Sequence, residues 1–153
     1  DIIEKLLDQN IKNEGIIKDK ALILYKLKKY KESIKICESY IAISKDLNFL
    51  NILGLNYLSM RQFDKAERIF KKGLIQDKNC SFILNSLGRM YHEKRDSKNA
   101  EKYLLNAYNL NNNSYEIINN LAGFYREEGR YKKSIKLYQK ALELNHQNPI
   151  IIT

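Results

Sequence analysis

Asparagine recurs at a fixed interval along this chain, and its side chain is well suited to holding a peptide backbone. Asn51, Asn85 and Asn119 are spaced 34 residues apart, and Asn120 lies beside the last of them. Because an asparagine amide both donates and accepts hydrogen bonds, a ladder of such side chains could hold an extended peptide whatever its sequence. The alternative is coincidence, since asparagine is abundant throughout the chain.

Basic side chains follow the asparagines along the same segments. Arg89, His92 and Arg126 could receive a carboxylate or a phosphate, although a lone histidine is more often a surface residue than a ligand or a catalyst. The sequence contains no Gly-rich phosphate loop, nucleophile elbow, HExxH motif or paired cysteine motif. It therefore predicts no catalytic residue, no metal ligand and no cofactor, and the chain is not expected to be an enzyme.

The same interval of 34 residues governs the apolar and small positions, except that the first repeat is one residue shorter. Between recurrences, apolar residues fall three or four apart, which predicts two helices joined by a short turn in each repeat. One position in each helix is kept small, so that two helix backbones could approach closely. These positions are Ala21, Gly54, Gly88 and Ala122 in the first helices, and Ser33, Ala66, Ala100 and Ser134 in the second. We expect the neighbouring aromatic columns to pack in the core, with Tyr57, Tyr91 and Tyr125 in one and Tyr30, Phe63 and Tyr131 in the other.

This repeat resembles the tetratricopeptide repeat (TPR) family. The matching motifs are L-G-x-x-Y, which begins at Leu53 and again at Leu87, and A-x-x-x-F, which begins at Ala66. The resemblance implies an all-α fold, a right-handed superhelical solenoid of antiparallel helix pairs. It covers nearly the whole chain, so we expect a single domain over residues 1–153. Its repeats would span 14–46, 47–80, 81–114 and 115–148, with the end of a preceding repeat in 1–13 and the start of a further one in 149–153, as in a fragment of a longer protein.

The resemblance also implies where a partner would bind, because first helices line the concave groove in this family. The candidate partner-binding residues are Asn51, Asn85, Arg89, His92, Asn119, Asn120 and Arg126. In the sugar-transferase branch of the family an asparagine ladder lies one position nearer the small residue, and here only Asn120 occupies that place. The residues that clamp acidic chaperone tails are largely absent, so that class of partner is disfavoured.

Charge and cysteine content narrow the class of partner and the compartment. The net charge of +9 favours acidic partners, nucleic acid or a membrane surface. Eight of the lysines fall on the outward side of second helices, where a solvated face is favoured over a nucleic-acid patch. No apolar run is long enough to cross a membrane. Cys37 and Cys80 have no cysteine or histidine at ligand spacing, so we expect no disulfide framework and an intracellular, cytoplasmic location.

The function favoured by the sequence is a protein–protein interaction scaffold that binds a peptide or partner protein in the groove. Two alternatives remain open. The repeats could present a substrate to a catalytic domain in a larger enzyme such as a glycosyltransferase, or they could form a helical-repeat RNA-binding module. Because repeat arrays need polar capping elements at their ends, self-association through uncapped ends is also expected.

Overall fold

The computed structural model describes the backbone of residues 13–146, and the side chains of 13–144. Over that range every regular element is an α-helix, as predicted. The eight helices are α1 Glu14–Lys26, α2 Tyr30–Ile41, α3 Leu47–Ser59, α4 Phe63–Gln76, α5 Ser81–Glu93, α6 Ser97–Leu110, α7 Tyr115–Glu127 and α8 Tyr131–His146. Each predicted repeat contributes one helix pair. The partial repeats expected in 1–13 and 149–153 lie outside the described residues, apart from residue 13.

The chain divides into two compact units. The first, Asp1–Gln76, contains α1 to α4, and the second, Asp77–Thr153, contains α5 to α8. Within each unit two helix pairs stack, so that the first helix of one pair lies beside the first helix of the next. The expectation of a single domain over the whole chain stays a prediction.

Two glycines allow close approach within their helix pairs. A Cβ atom at Gly88 would lie 2.5 Å from Cγ of Leu104 and 3.0 Å from its backbone nitrogen, and one at Gly54 would collide with the ring of Phe70. Interior helical glycine costs about 1 kcal/mol relative to alanine, and the large side chain packed into the vacated space offsets that cost.

The other two repeats pack their crossing differently. Alanine replaces glycine in the first helix, and serine replaces alanine in the second. Ser33 Oγ donates to the carbonyl oxygen of Ala21 at 2.8 Å, and Ser134 Oγ donates to that of Ala122 at 2.8 Å. Both serines are buried, so each hydroxyl finds the partner that a buried polar group requires.

The turn between the two helices of a repeat has the same backbone form in all four described repeats. One residue in each turn adopts a positive φ, namely Lys28, Arg61, Arg95 or Gly129. Backbone bonds from this residue and the next close the turn: in the third repeat, Arg95 N donates to His92 O and Asp96 N donates to Tyr91 O. This pattern ends a helix in the left-handed conformation, which glycine adopts without a steric penalty at Gly129.

Helices α6 and α7 have side-chain caps at their starts, and the aromatic residues expected in the core are buried to different extents: Tyr30, Tyr57 and Phe63 are half-buried. Asp96 caps α6 by accepting from the backbone N–H of Asn99, and Ser114 caps α7 by accepting from that of Ile117. Tyr91 and Tyr125 are buried as expected. The expectation that Tyr131 is a core residue is wrong, because the side of α8 that carries it is exposed.

Candidate partner-binding face

The polar side chains of the second unit converge where α5 and α7 lie side by side. Residues three or four apart share one face of a helix, and Asn85, Arg89 and His92 are spaced in this way along α5. The facing stripe of α7 is also rich in polar residues. We call the combined surface the α5–α7 face, and its residues are Asn85, Arg89, His92, Glu116, Asn119, Asn120, Gly123, Arg126 and Glu127.

Asparagine side chains join the two helices at one end of this face. Asn120 Nδ2 donates to Asn85 Oδ1 at 3.0 Å, and Asn85 Nδ2 donates to Glu116 Oε1 at 3.3 Å. Asn85 is 2% exposed, so it links α5 to the first turn of α7 and does not project from the surface. A peptide would reach its amide only by displacing these partners.

The three asparagines of the sequence ladder therefore differ in their surroundings. Asn119 is exposed, whereas Asn51, on α3 of the first unit, is half-buried and already makes a polar interaction. Lys18 occupies the same register position on α1, and its Nζ donates to Asp46 at 3.1 Å, at the start of α3. Lys18 and Asn85 therefore each connect the first helix of one repeat to the start of the first helix of the following repeat. The sequence expectation treated all three asparagines as free of the core, and that does not hold for Asn85.

His92 lies at the other end of the face and also bridges α5 to α7. Its Nε2 lies 3.0 Å from Glu127 Oε2, and its ring packs edge-on against Phe124 with centroids 5.3 Å apart. The imidazole is only partly exposed and is held by both a carboxylate and an aromatic ring. In this arrangement it positions the two helices.

Two arginines on the face have loosely held guanidinium groups. Arg89 Nη2 lies 3.9 Å from Glu93 Oε1, and Arg126 Nη2 lies 3.9 Å from Glu127 Oε1. Both separations exceed hydrogen-bond length, so the planar donors keep capacity for a carboxylate ligand. The side chain of Arg126 is 60% exposed, which makes it the more accessible of the two.

Gly123 lies between Asn119 and Arg126 on the same stripe of α7. A Cβ atom there would meet only the Tyr138 hydroxyl, at 4.0 Å, so packing does not require this glycine as it requires Gly88. The result is a patch of bare helix backbone flanked by an amide and a guanidinium. Sequence reasoning missed it, although the signal was available: the same position is Leu22, Leu55 and Arg89 in the other repeats.

The described part of the chain offers no group of three or more His, Cys, Asp or Glu side chains able to hold a metal ion. Cys37 and Cys80 are both buried free thiols. Desolvation raises the pKa of Cys37 to about 12, against a hydrogen bond with Ser33 that lowers it. At neutral pH such a thiol stays protonated and unreactive. Among the described helices, none is long and apolar enough to cross a membrane.

Family profiles match two stretches of the sequence, one inside the third repeat and one that begins in the fourth repeat and extends past its end. Residues 83–114 match a tetratricopeptide repeat and residues 124–151 match a TPR repeat. A search of curated proteins gave no significant match.

Solved structures of similar fold include several bacterial proteins. A thermophilic TPR protein of Thermus thermophilus has a TM-score of 0.81 at 22% identity, covering 92% of this chain and 78% of that one. PilF of Pseudomonas aeruginosa has a TM-score of 0.77 at 16% identity, covering 92% and 65%. MamA of Desulfovibrio magneticus has a TM-score of 0.69 at 13% identity, covering 87% and 76%.

At these identities the likeness shows the fold alone. It agrees with the repeated helix pairs, the close crossings at Gly54 and Gly88, and the two profile matches. The chain contains tetratricopeptide repeats, matched at residues 83–114 and 124–151.

Proposed function

We propose that this chain is a protein–protein interaction scaffold whose α5–α7 face binds an extended peptide segment of a partner protein. The TPR fold is typically a non-enzymatic scaffold for protein or peptide partners, which supports the general class. The particular face is supported by the accessible, weakly engaged polar groups on α7.

The observation that carries the proposal is the stripe formed by Asn119, Gly123 and Arg126. A helix rises 1.5 Å per residue, so the stripe extends over about 10 Å, which matches about three residues of extended peptide. The Asn119 amide can bond a peptide backbone, Gly123 lets that backbone approach the helix, and Arg126 can receive a carboxylate. Asn85, Asn120 and His92 support this stripe by fixing α5 against α7.

The charges of the face favour a peptide over nucleic acid. Arg89 and Arg126 are accompanied by the carboxylates of Glu93, Glu116 and Glu127. A polyanion laid along the face would meet these carboxylates and be repelled. A peptide with one acidic side chain near Arg126 avoids that repulsion, so we expect a partner with a local acidic residue.

The test begins with peptides selected from a random display library on the immobilised chain. Their affinities are then measured by fluorescence anisotropy for the wild type and for the double variant Asn119→Ala/Arg126→Ala. Loss of a hydrogen bond to a charged group costs about 1.5–3 kcal/mol, so we expect affinity to fall by about tenfold or more. The matched control is Lys132→Ala/Lys136→Ala on the exposed side of α8, which should bind as the wild type does.

Equal affinity in the wild type and the α7 variant would refute the assignment of the face. The RNA-binding alternative has its own readout in the same assay with single-stranded RNA. Phosphate contacts release counterions, so RNA binding would weaken steeply with salt. If RNA were bound more tightly than any selected peptide, and the α8 lysine variant abolished that binding, the peptide proposal would fail.

A further inference from the structure

The outer side of α8 carries an exposed apolar stripe. Tyr131, Ile135 and Leu142 are each more than half exposed. Their spacing of four and seven residues places them on one face of the helix. We call these three residues the α8 stripe.

A second exposed apolar surface lies on the first described repeat. Ile16, Ile23 and Leu27 of α1 and its C-terminal turn are also more than half exposed, and their spacing of seven and four residues again places them on one face. We call these three residues the α1 face. Together the two surfaces contain six of the ten exposed large apolar side chains in the described part of the chain.

In the second repeat, the positions equivalent to Ile16 and Ile23 are buried against the preceding repeat, whereas Met60, the equivalent of Leu27, is half-buried. Ile16 corresponds to Phe49, whose ring stacks on Tyr40 of the preceding repeat with centroids 5.2 Å apart. Ile23 corresponds to Asn56, whose Nδ2 donates to Ser33 Oγ of the preceding repeat at 2.8 Å. Phe49 and Asn56 are both fully buried. The α1 face therefore has the position, and in Ile16 and Ile23 the apolar character, of a surface that stacks onto a preceding helix pair.

The positions of the α8 stripe, in turn, contact the following repeat wherever the structure describes one in the same unit. In α6 the equivalent residues are Ser97, Glu101 and Tyr108. Ser97 Oγ donates to Glu128 Oε1 at 2.8 Å, and Tyr108 OH accepts from Lys140 Nζ at 3.2 Å.

The equivalent residues of α2 show an apolar version of the same contact. They are Tyr30, Ile34 and Ile41, which are half-buried, and both isoleucines pack against the core cluster that contains Phe49 and Leu53 of the next repeat. The α8 stripe has the same apolar character as these α2 residues.

If another copy of the chain followed α8 as a next repeat, the repeat register would place the α8 stripe against the α1 face of that copy. The observed contact between Ser97 and Glu128 would then correspond to a contact between Tyr131 and Leu27 of the following copy. The same register relates Tyr30 to Met60, and these two residues line one cleft in the first unit. The third and fourth repeats meet there through the polar pair Ser97 and Glu128. The α8 stripe and the α1 face have the apolar residues Tyr131 and Leu27 at the equivalent positions.

We propose that copies of this chain associate head to tail, with the α8 stripe of one copy packed on the α1 face of the next. The contact continues the repeat-to-repeat stacking and buries apolar surface that is otherwise exposed to water. It uses two different surfaces, so it is heterologous, and each added copy leaves one stripe and one face open for another. This association does not depend on peptide binding by the α5–α7 face.

Sedimentation velocity on the full 153-residue chain tests the proposal. The wild type should show a weight-average mass that rises with concentration. The head variant Ile16→Lys/Ile23→Lys and the tail variant Ile135→Lys/Leu142→Lys should each stay monomeric. Mixed in equal amounts, they should form a dimer and nothing larger, because each variant retains one intact surface. The control Ile75→Lys, at an exposed position of α4 outside both surfaces, should behave as the wild type does.

Three results would overturn the proposal. A wild type that stays monomeric at every concentration would show that the two surfaces do not bind each other. Association retained in both variants would place the contact elsewhere. A dimer formed by one variant alone would indicate a symmetric interface. Circular dichroism melts check that the variants are folded, as expected for substitutions at exposed positions. The Asn119→Ala/Arg126→Ala variant should associate normally, which separates this proposal from that of peptide binding.

Discussion

Gly88 and Gly123 both lie within first helices, but their surroundings are opposite. At Gly88 an added methyl group would press on the side chain of Leu104 and on its backbone nitrogen, which cannot rotate away. At Gly123 it would touch only the far end of Tyr138. The two positions therefore form a matched pair for one substitution.

The first prediction concerns this pair. Gly88→Ala should lower the free energy of unfolding by about 1–3 kcal/mol, because overpacking outweighs the better helix propensity of alanine. Gly123→Ala should raise it by up to about 1 kcal/mol. Urea unfolding followed by circular dichroism measures both.

Gly123→Ala should also weaken the selected peptides, since its methyl group occupies the bare backbone patch. A Gly88→Ala protein as stable as the wild type would mean that the helix crossing has room to relax. A Gly123→Ala protein with unchanged peptide affinity would remove the close approach from the proposed site.

Residue roles were only partly predictable from the sequence. The recurrence of small residues identified Gly54 and Gly88 as close-approach positions, because a conformational cost in mid-helix needs a packing reason. Asn85 was expected to face a groove, and the structure buries it. A register position tells which side of a helix a residue occupies, but not how far the neighbouring helix covers it.

Glu101 on α6 contacts side chains of α7, of α8 and of the turn between them. Its Oε1 accepts from Tyr125 OH at 3.0 Å and from Arg130 Nη1 at 2.6 Å, and Lys133 Nζ lies 3.9 Å away. Desolvation raises the pKa of Glu101, but the hydrogen bonds and nearby cations outweigh it and leave the pKa below its ordinary value of 4.5. Desolvation and the bond to Glu101 raise the pKa of Tyr125 to about 12.

The second prediction follows from the sign of that shift. A carboxyl group whose pKa is lower in the folded chain stabilises the fold fully above its unfolded pKa, and loses that contribution as the pH falls through the folded value. Glu101→Gln should therefore be less stable than the wild type at neutral pH, and the difference should shrink on acidification below the ordinary value of 4.5.

Urea unfolding at a series of pH values measures this difference. Glu143→Gln, at an exposed position of α8, is the control and should follow the wild type throughout. If the Glu101→Gln protein differed from the wild type by the same amount at every pH, the charge of Glu101 would not be what stabilises the contact between repeats.

At the level of helices, the sequence predicted where each element lies but not how repeats touch. Apolar spacing, the caps at Asp96 and Ser114 and the turn at Gly129 are local signals, and each appears in the structure. The contact of Glu101 with Tyr125 and Arg130 joins residues 24 and 29 positions away. Such a pairing depends on how one helix pair seats on the next, which local patterns do not encode.

For the molecule as a whole, the repeat interval and the L-G-x-x-Y and A-x-x-x-F motifs together predicted the resemblance to tetratricopeptide repeats and the all-α class. The division into two compact units had no counterpart in the sequence, because the register continues through their boundary unchanged. The two exposed apolar surfaces, on α1 and α8, also became visible only with the structure. Their residues have ordinary core character, and only their exposure sets them apart.

Chemical-shift mapping of the 15N-labelled chain with a selected peptide shows which helices contact the partner. We expect the largest changes on α7 between Asn119 and Arg126, with smaller ones near Arg89 on α5. Changes concentrated on the lysine-rich sides of α6 and α8, or spread evenly over all eight described helices, would contradict the claim that the α5–α7 face binds the partner.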